Sequence, residues 1–249
     1  MSKATTVIPQ MMPAQPVFIG AGLTHVGVVR ERNEDSILTD PTGVLWAVAD
    51  GMGGYSFGDV ASDMVIDALS EVSDDALAGP ALQGALRAAN ARIHHEAHTR
   101  GSMGATAVAL MIQNAIATIA WVGDCRAYLL RGRALRLLTH DHTVVQDMVD
   151  RALIGPEETH NHPERHVVTR AVGHVAELQV DTIAVPLVPG DRVMLCSDGL
   201  TGCLSDQEIT DHMARAGSPK MLCTTLLTAS LEAGAADNVS VVSVFAERA

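Results

Sequence analysis

The chain has 249 residues, 47% hydrophobic and 18% charged, which excludes a disordered polymer and fits a globular unit with a large core. With 29 acidic against 17 basic residues, the formal net charge is -12. Such a surface repels phosphate backbones and anionic lipid, so neither nucleic acid nor membrane is expected as a partner. Aromatic residues make up only 3%, so the core must be aliphatic side chains and Met.

Residues 1–16 are polar, contain proline and lack periodicity, and read as a flexible N-terminal extension without a signal-peptide apolar run. From Val17 to Val48 strand and turn signals alternate, with a hairpin turn at Asp40-Pro41-Thr42-Gly43. After the glycine-rich stretch 51–58, apolar residues at three- and four-residue intervals (Val60, Ala61, Met64, Val65, Ala68, Leu69, Val72) predict an amphipathic helix, and a second helix follows over 80–99. Residues 101–123 carry no charge and imitate a membrane span in length. Gln113-Asn114 at the centre and β-branched flanks instead predict two buried strands over 104–112 and 115–122. Further strands are expected over 125–131 and 134–138, a helix over 143–154, and an exposed loop over 155–166. Strands over 180–185 and 192–196 come next, then a capping box at Ser205-Asp206-Gln207-Glu208, a helix over 218–233 and a closing strand over 238–245. Strand runs interleaved with helix pairs, without βαβ alternation, indicate one α+β domain over 17–249.

The four cysteines (Cys125, Cys196, Cys203, Cys223) form no C-x-x-C pair and read as reduced thiols of a cytoplasmic protein. Acidic residues are more telling. Asn33-Glu34-Asp35, Asp50-Gly51, Gly123-Asp124, Ser197-Asp198-Gly199 and Asp237-Asn238 each lie at a predicted strand end or the adjoining turn. Taken singly, an Asp-Gly pair is an ordinary turn. Gathered on one rim, several carboxylates stay ionised only beside cations, and hard cations such as Mg²⁺ and Mn²⁺ take oxygen ligands.

The ordered segments R-x-x-N-E-D (30–35), V-A-D-G-M-G-G (48–54), M-G-A-T (103–106), V-G-D-C-R-A-Y (122–128), C-S-D-G-L (196–200) and D-N-V-S (237–240) resemble the type 2C metal-dependent serine/threonine protein phosphatases, above all their compact bacterial members. The resemblance implies two packed antiparallel β-sheets between helix layers, an αββα arrangement, with a flap at about 143–170. It implies that Asp50 bridges two Mn²⁺ or Mg²⁺ ions and that the Gly51 carbonyl adds a ligand. Asp198 and Asp237 complete the second ion's shell, Glu34 and Asp35 hold metal-bound water, and Asp124 serves a third, weaker site. Arg30 grips the substrate phosphate, and a hydroxide bridging the metals attacks phosphorus in line. The implied partners are phosphorylated proteins, among them a bacterial-type Ser/Thr kinase, met by a monomeric enzyme. A catalytically dead phosphatase fold that shelters phosphoproteins is the rival reading, and the full set of carboxylates speaks against it.

The chain departs from the family pattern at His25 and Cys125, and Met52 stands where eukaryotic members carry a His, leaving the general acid unassigned. Among the 11 histidines, His94 and His98 read as a solvated helix face and His142 as structural. His160, His162 and His166 fall in the expected flap, where histidines tune contacts with pH or are simply exposed.

Overall fold

The computed structural model describes residues 16–40, 43–53 and 57–249. The expected extension up to residue 15, Pro41-Thr42 of the hairpin turn and Gly54 of the glycine-rich stretch lie outside the described residues.

Two sheets organise the molecule. In one, β1 (Val17–His25), β10 (Val239–Glu247), β9 (Arg192–Cys196), β6 (Arg126–Arg131) and β7 (Ala134–Leu137) lie in that order. In the other, the order is β2 (Asp35–Thr39), β3 (Leu45–Gly53), β4 (Met103–Gln113), β5 (Ile116–Val122) and β8 (Asp181–Pro186). Every named pairing is antiparallel. Helices α1 (Gly58–Ser70) and α2 (Ala78–Arg100) cover the second sheet, while α5 (Asp206–Arg215) and α6 (Pro219–Glu232) cover the first. The αββα expectation is met.

Period-two alternation explains this layering. Along β3, Trp46 and Val48 point between the sheets, where they meet Val108, Leu110, Val193, Leu195, Val242 and Val244. Their neighbours Leu45, Ala47 and Ala49 point the other way, toward α1 and α2. Alanines dominate that helix-facing side, with Ala105, Ala107 and Ala109 on β4, so helices can approach the strands closely. Strands buried on both faces lose polar alternation, which is why 101–123 looked like a span. It is the β4–β5 hairpin, turned at Asn114 and Ala115 with φ of 50° and 59°. Among the described residues, no helix is long and apolar enough to cross a membrane.

Helix ends follow their capping residues. Ser205 accepts from the Glu208 N–H at 3.3 Å while the Glu208 carboxylate accepts from the Ser205 N–H at 2.8 Å, the reciprocal box expected for α5. Ser218 caps α6 ahead of Pro219. Three local features differ from expectation. The helix expected over 143–154 is α3 (Val144–Asp150), which stops before Ala152 turns to φ 55°. The expected loop over 155–166 contains a 3₁₀ turn, Pro156–Asn161, held by the Glu158 carboxylate accepting from the Gly155 N–H at 2.7 Å. A one-turn helix α4 (Asp198–Thr201) follows β9 and was not foreseen. All three rest on local hydrogen bonds that leave no apolar period to read.

Trp46 is fully buried between the sheets, and its indole Nε1–H has no hydrogen-bond partner among the described residues. A Cβ at Gly20 of β1 would lie 2.3 Å from that nitrogen, so only glycine leaves room for the indole. Trp46→Ala is expected to cost about 3–5 kcal/mol, whereas Trp46→Phe should cost less than about half of that because it also removes an unpartnered donor. Urea unfolding followed by circular dichroism checks both values.

Candidate active site: a carboxylate rim joining the two sheets

Each acidic segment falls at the same rim. Asp35 opens β2, Asp50 lies near the end of β3, Asp124 follows β5, Asp198 follows β9, and Asp237 precedes β10. Antiparallel register sets Asp35 directly opposite Asp50, and Asp50 opposite Thr106 on β4. Odd and even positions decide sides in a strand, so this register is what brings the first pair of carboxyl groups together.

Backbone geometry at Asp50 depends on its neighbour. A Cβ on Gly51 would lie 2.1 Å from the Gly58 carbonyl oxygen and 2.6 Å from that of Glu34. The Gly51 N–H donates to the Glu34 carbonyl at 3.0 Å, which ties the acidic Asn33-Glu34-Asp35 turn to the end of β3. Gly123 adopts φ 99°, and a Cβ there would strike Thr106 at 2.3 Å. That left-handed residue turns the chain so that Asp124 faces the rim rather than continuing β5.

Two residues that the sequence reading left without a role lock the sheets together here. Ser197 donates its hydroxyl to Asp35 Oδ2 at 2.8 Å and accepts from the Ser240 N–H at 2.9 Å, bridging one sheet to the other. Asn238 accepts from the Glu34 N–H at 2.8 Å and donates its amide to the Val26 and Arg32 carbonyls, both at 2.9 Å. A polar residue at the mouth of the apolar strand β10 was the available signal for Asn238.

Electrostatics show the strain of this crowding. Burial pushes the Asp35 carboxyl up to about 7; the Ser240 and Ser197 hydrogen bonds pull it back, and Asp198 and Asp237 push it further up. Asp124 is likewise pushed to about 7, by burial first and then by Asp198 and Asp141. Asp50 retains some exposed surface but sits deep among its neighbours, and burial followed by Asp35, Asp198, Asp124 and Asp237 raises it well above the usual range. Glu34 is raised by burial and by Asp59. Asp35 Oδ1 is buried without a hydrogen-bond partner among the described residues.

Arg30 and His166 meet the carboxylates at the outer edge. Arg30 forms a bidentate pair with Asp237, Nε to Oδ1 at 2.9 Å and Nη2 to Oδ2 at 2.8 Å. His166, reaching across from the segment after α3, stands 3.5 Å from Asp198 Oδ2, which raises its pKa. His160 and His162 show no such contact with the rim, and His94 instead faces the Gly173 carbonyl at 3.2 Å. Among the described residues, no three His, Cys, Asp or Glu side chains are drawn onto one point at ligand distance. Asp237 is turned to Arg30 and Asp198 toward His166. The donor set itself is all oxygen and carboxylate-rich, with one orphaned buried carboxylate oxygen; that suits a hard divalent cation and no soft one.

The protein phosphatase 2C family, whose members are metal-dependent protein serine/threonine phosphatases, matches residues 22–233, and the chain belongs to it. The serine/threonine protein phosphatase PstP of Mycobacterium tuberculosis is 38% identical over 226 residues; the match takes in 87% of this chain, which spans 42% of that relative's length. The serine/threonine phosphatase Stp of Listeria welshimeri is 33% identical over 234 residues, covering 89% of this chain and 93% of the relative. The solved catalytic domain of PstP in complex with two manganese ions superposes with a TM-score of 0.84 at 34% identity, over 92% of this chain and 98% of that one.

A carboxyl group whose pKa is raised on folding holds protons that the unfolded chain has already released, so its contribution favours the folded state less and less as pH rises between the two values. For Asp35 that window runs from 3.8 to about 7. In chelator, Asp35→Asn is therefore expected to gain stability relative to the parent across that window and to hold the gain above it. Saturating Mn²⁺ should shrink the difference by favouring the charged parent. Thermal unfolding at a series of pH values, with and without Mn²⁺, measures this.

Proposed function

We propose that the chain is a Mn²⁺- or Mg²⁺-dependent phosphatase that hydrolyses phosphoserine and phosphothreonine on proteins, opposing bacterial-type Ser/Thr kinases. The observation that carries this reading is the convergence of Asp35, Asp50, Asp124, Asp198 and Asp237 on one rim, where burial and mutual repulsion raise the first three. Membership of a metal-dependent phosphatase family supports it.

Asp50, which faces carboxylates from both sheets, would be the central ligand, with the Gly51 carbonyl, Asp198 and Asp237 as further donors. Glu34 and Asp35 would orient water around the cations, and Asp124 would hold a weaker, third one. Bound divalent cations would neutralise the phosphoryl oxygens and acidify a water nucleophile. Arg30 presents a planar, always-charged fork that fits two phosphate oxygens. Its present partner is Asp237, at the exposed edge, so a phosphate dianion competes for the same fork. The residues supply charge and position, and no covalent phosphoenzyme is required.

We read residues 17–249 as one catalytic unit with a flap at about 143–170. The flap's ends are pinned by the Thr143–Val168 bridge and by the Val144 N–H donating to the Val167 carbonyl at 2.9 Å, so its interior can vary without disturbing the sheets. The acidic net charge supports a monomer free of nucleic acid and membrane, and four unpaired cysteines support a cytoplasmic setting.

Hydrolysis of a phosphothreonine peptide tests the reading. Chelator should abolish turnover and Mn²⁺ restore it, and Asp198→Asn should lower it by about 100-fold or more. Arg30→Ala should lower kcat/KM by about 10- to 100-fold, the worth of one charge-assisted contact to phosphate, with cation dependence retained. Equal rates in chelator and Mn²⁺ would overturn the proposal.

A further inference from the structure

His142 is 4% exposed, yet both its ring nitrogens are engaged, on two different parts of the site. On one side the Gly123 N–H donates to Nδ1 at 3.0 Å, while the His142 N–H donates back to the Gly123 carbonyl at 2.9 Å. This reciprocal pair clamps the residue before Asp124. Gly123 is left-handed and has no room for a side chain, since a Cβ there would strike Thr106. On the other side Nε2 stands 3.1 Å from Asp181 Oδ2 at the start of β8. Arg170 Nη1 lies 3.4 Å from Asp181 Oδ1 and 3.4 Å from Nε2.

The hydrogen bonds fix the tautomer. Nδ1 accepts from an amide, so the proton resides on Nε2 and points to the Asp181 carboxylate, which also accepts from Arg170. The ring plane is held by Trp121, 6.3 Å away and inclined by 18°, whose indole donates to the His140 carbonyl at 2.9 Å. The backbone of His142 adds a third tie: its carbonyl accepts from the Thr169 N–H at 2.7 Å, next to the Thr143–Val168 bridge that closes the flap segment.

We infer that His142 is a positioning residue that couples the Asp124 turn to the base of the 143–168 segment, so that cation binding at Asp124 and the seating of that segment change together. A buried imidazole used only for packing would need neither opposed hydrogen bond. The inference rests on the reading of Asp124 as a cation ligand.

Two substitutions separate the two contacts. An Asn amide oxygen can reach the Nδ1 position and a Gln amide nitrogen the Nε2 position, so H142N keeps the Gly123 bond and H142Q keeps the Asp181 bond. Calorimetric Mn²⁺ titration of H142Q should show the weakest binding step loosened by about 10- to 100-fold, with tighter steps unchanged. H142N, which keeps the Gly123 bond, should loosen that step less than H142Q does, and in metal-free protein its amides at 165–170 should exchange with solvent faster than in the parent. Asp124→Asn serves as the control. If it abolishes the weakest step while H142Q leaves that step intact, the coupling is overturned and the cation reading of Asp124 stands. If Asp124→Asn keeps every step, the cation reading is wrong. Exchange at 123–124 in H142Q and 165–170 in H142N then decides the link, and parental rates in both overturn it.

Discussion

Repulsion between buried carboxyl groups is the constraint on which the rest of the site depends. Asp35 and Asp50 stand opposite each other on adjacent strands, and Asp124, Asp198 and Asp237 close around them from other strand ends. Like charges in a partly dry cleft are unfavourable unless protonated or neutralised by cations. Such a cluster persists only if the surrounding fold is stable enough to impose it. The hydrogen bonds of Ser197 to Asp35 and of Asn238 to the Glu34 N–H show how that is done: they tie the two sheets together at the very place where the charges push them apart, and the Ser240 N–H braces Ser197.

The energy that imposes this arrangement comes from elsewhere. An aliphatic layer between the sheets and a helix-covered layer on each outer face remove apolar surface from water, the dominant favourable term in folding. Strands buried on both sides are rigid supports, and a site built on their ends inherits that rigidity. The segment between Thr143 and Val168 is different. It packs on few core residues, carries short local turns and meets the rim through the exposed His166. Rigid carboxylates beside a lightly anchored segment give a site with a fixed chemical centre and an adaptable mouth.

Arg30 illustrates how charge at the edge is kept adaptable. Its bidentate pair with Asp237 is largely exposed, so solvent screens it and the net worth of the pair is small. A guanidinium held that loosely can exchange one anion for another. Arg126 is the contrast: it grips Asp141 through Nε and Nη2, with Asp141 nearly buried, and serves as a fixed brace beside Asp124.

Much of this was legible in the chain itself. The 3.6-residue apolar spacing located α1, because burial of one face is a local demand on residue type, and β-branched apolar runs bounded by turn residues located strands such as β4 and β5. The aspartates stood out because each adjoined a glycine, asparagine or glutamate at a strand end, and their order along the chain matched a family pattern. The sequence could not show Ser197 and Asn238 as the stitches between sheets, nor His142 as a two-sided clamp, because those contacts join residues far apart in the chain. Nor could it show that Arg30 turns to Asp237 and His166 to Asp198, since side-chain partners at an exposed edge depend on distances that residue types do not encode. Local pattern determines which residues are buried; only tertiary packing decides which charges then have to face one another.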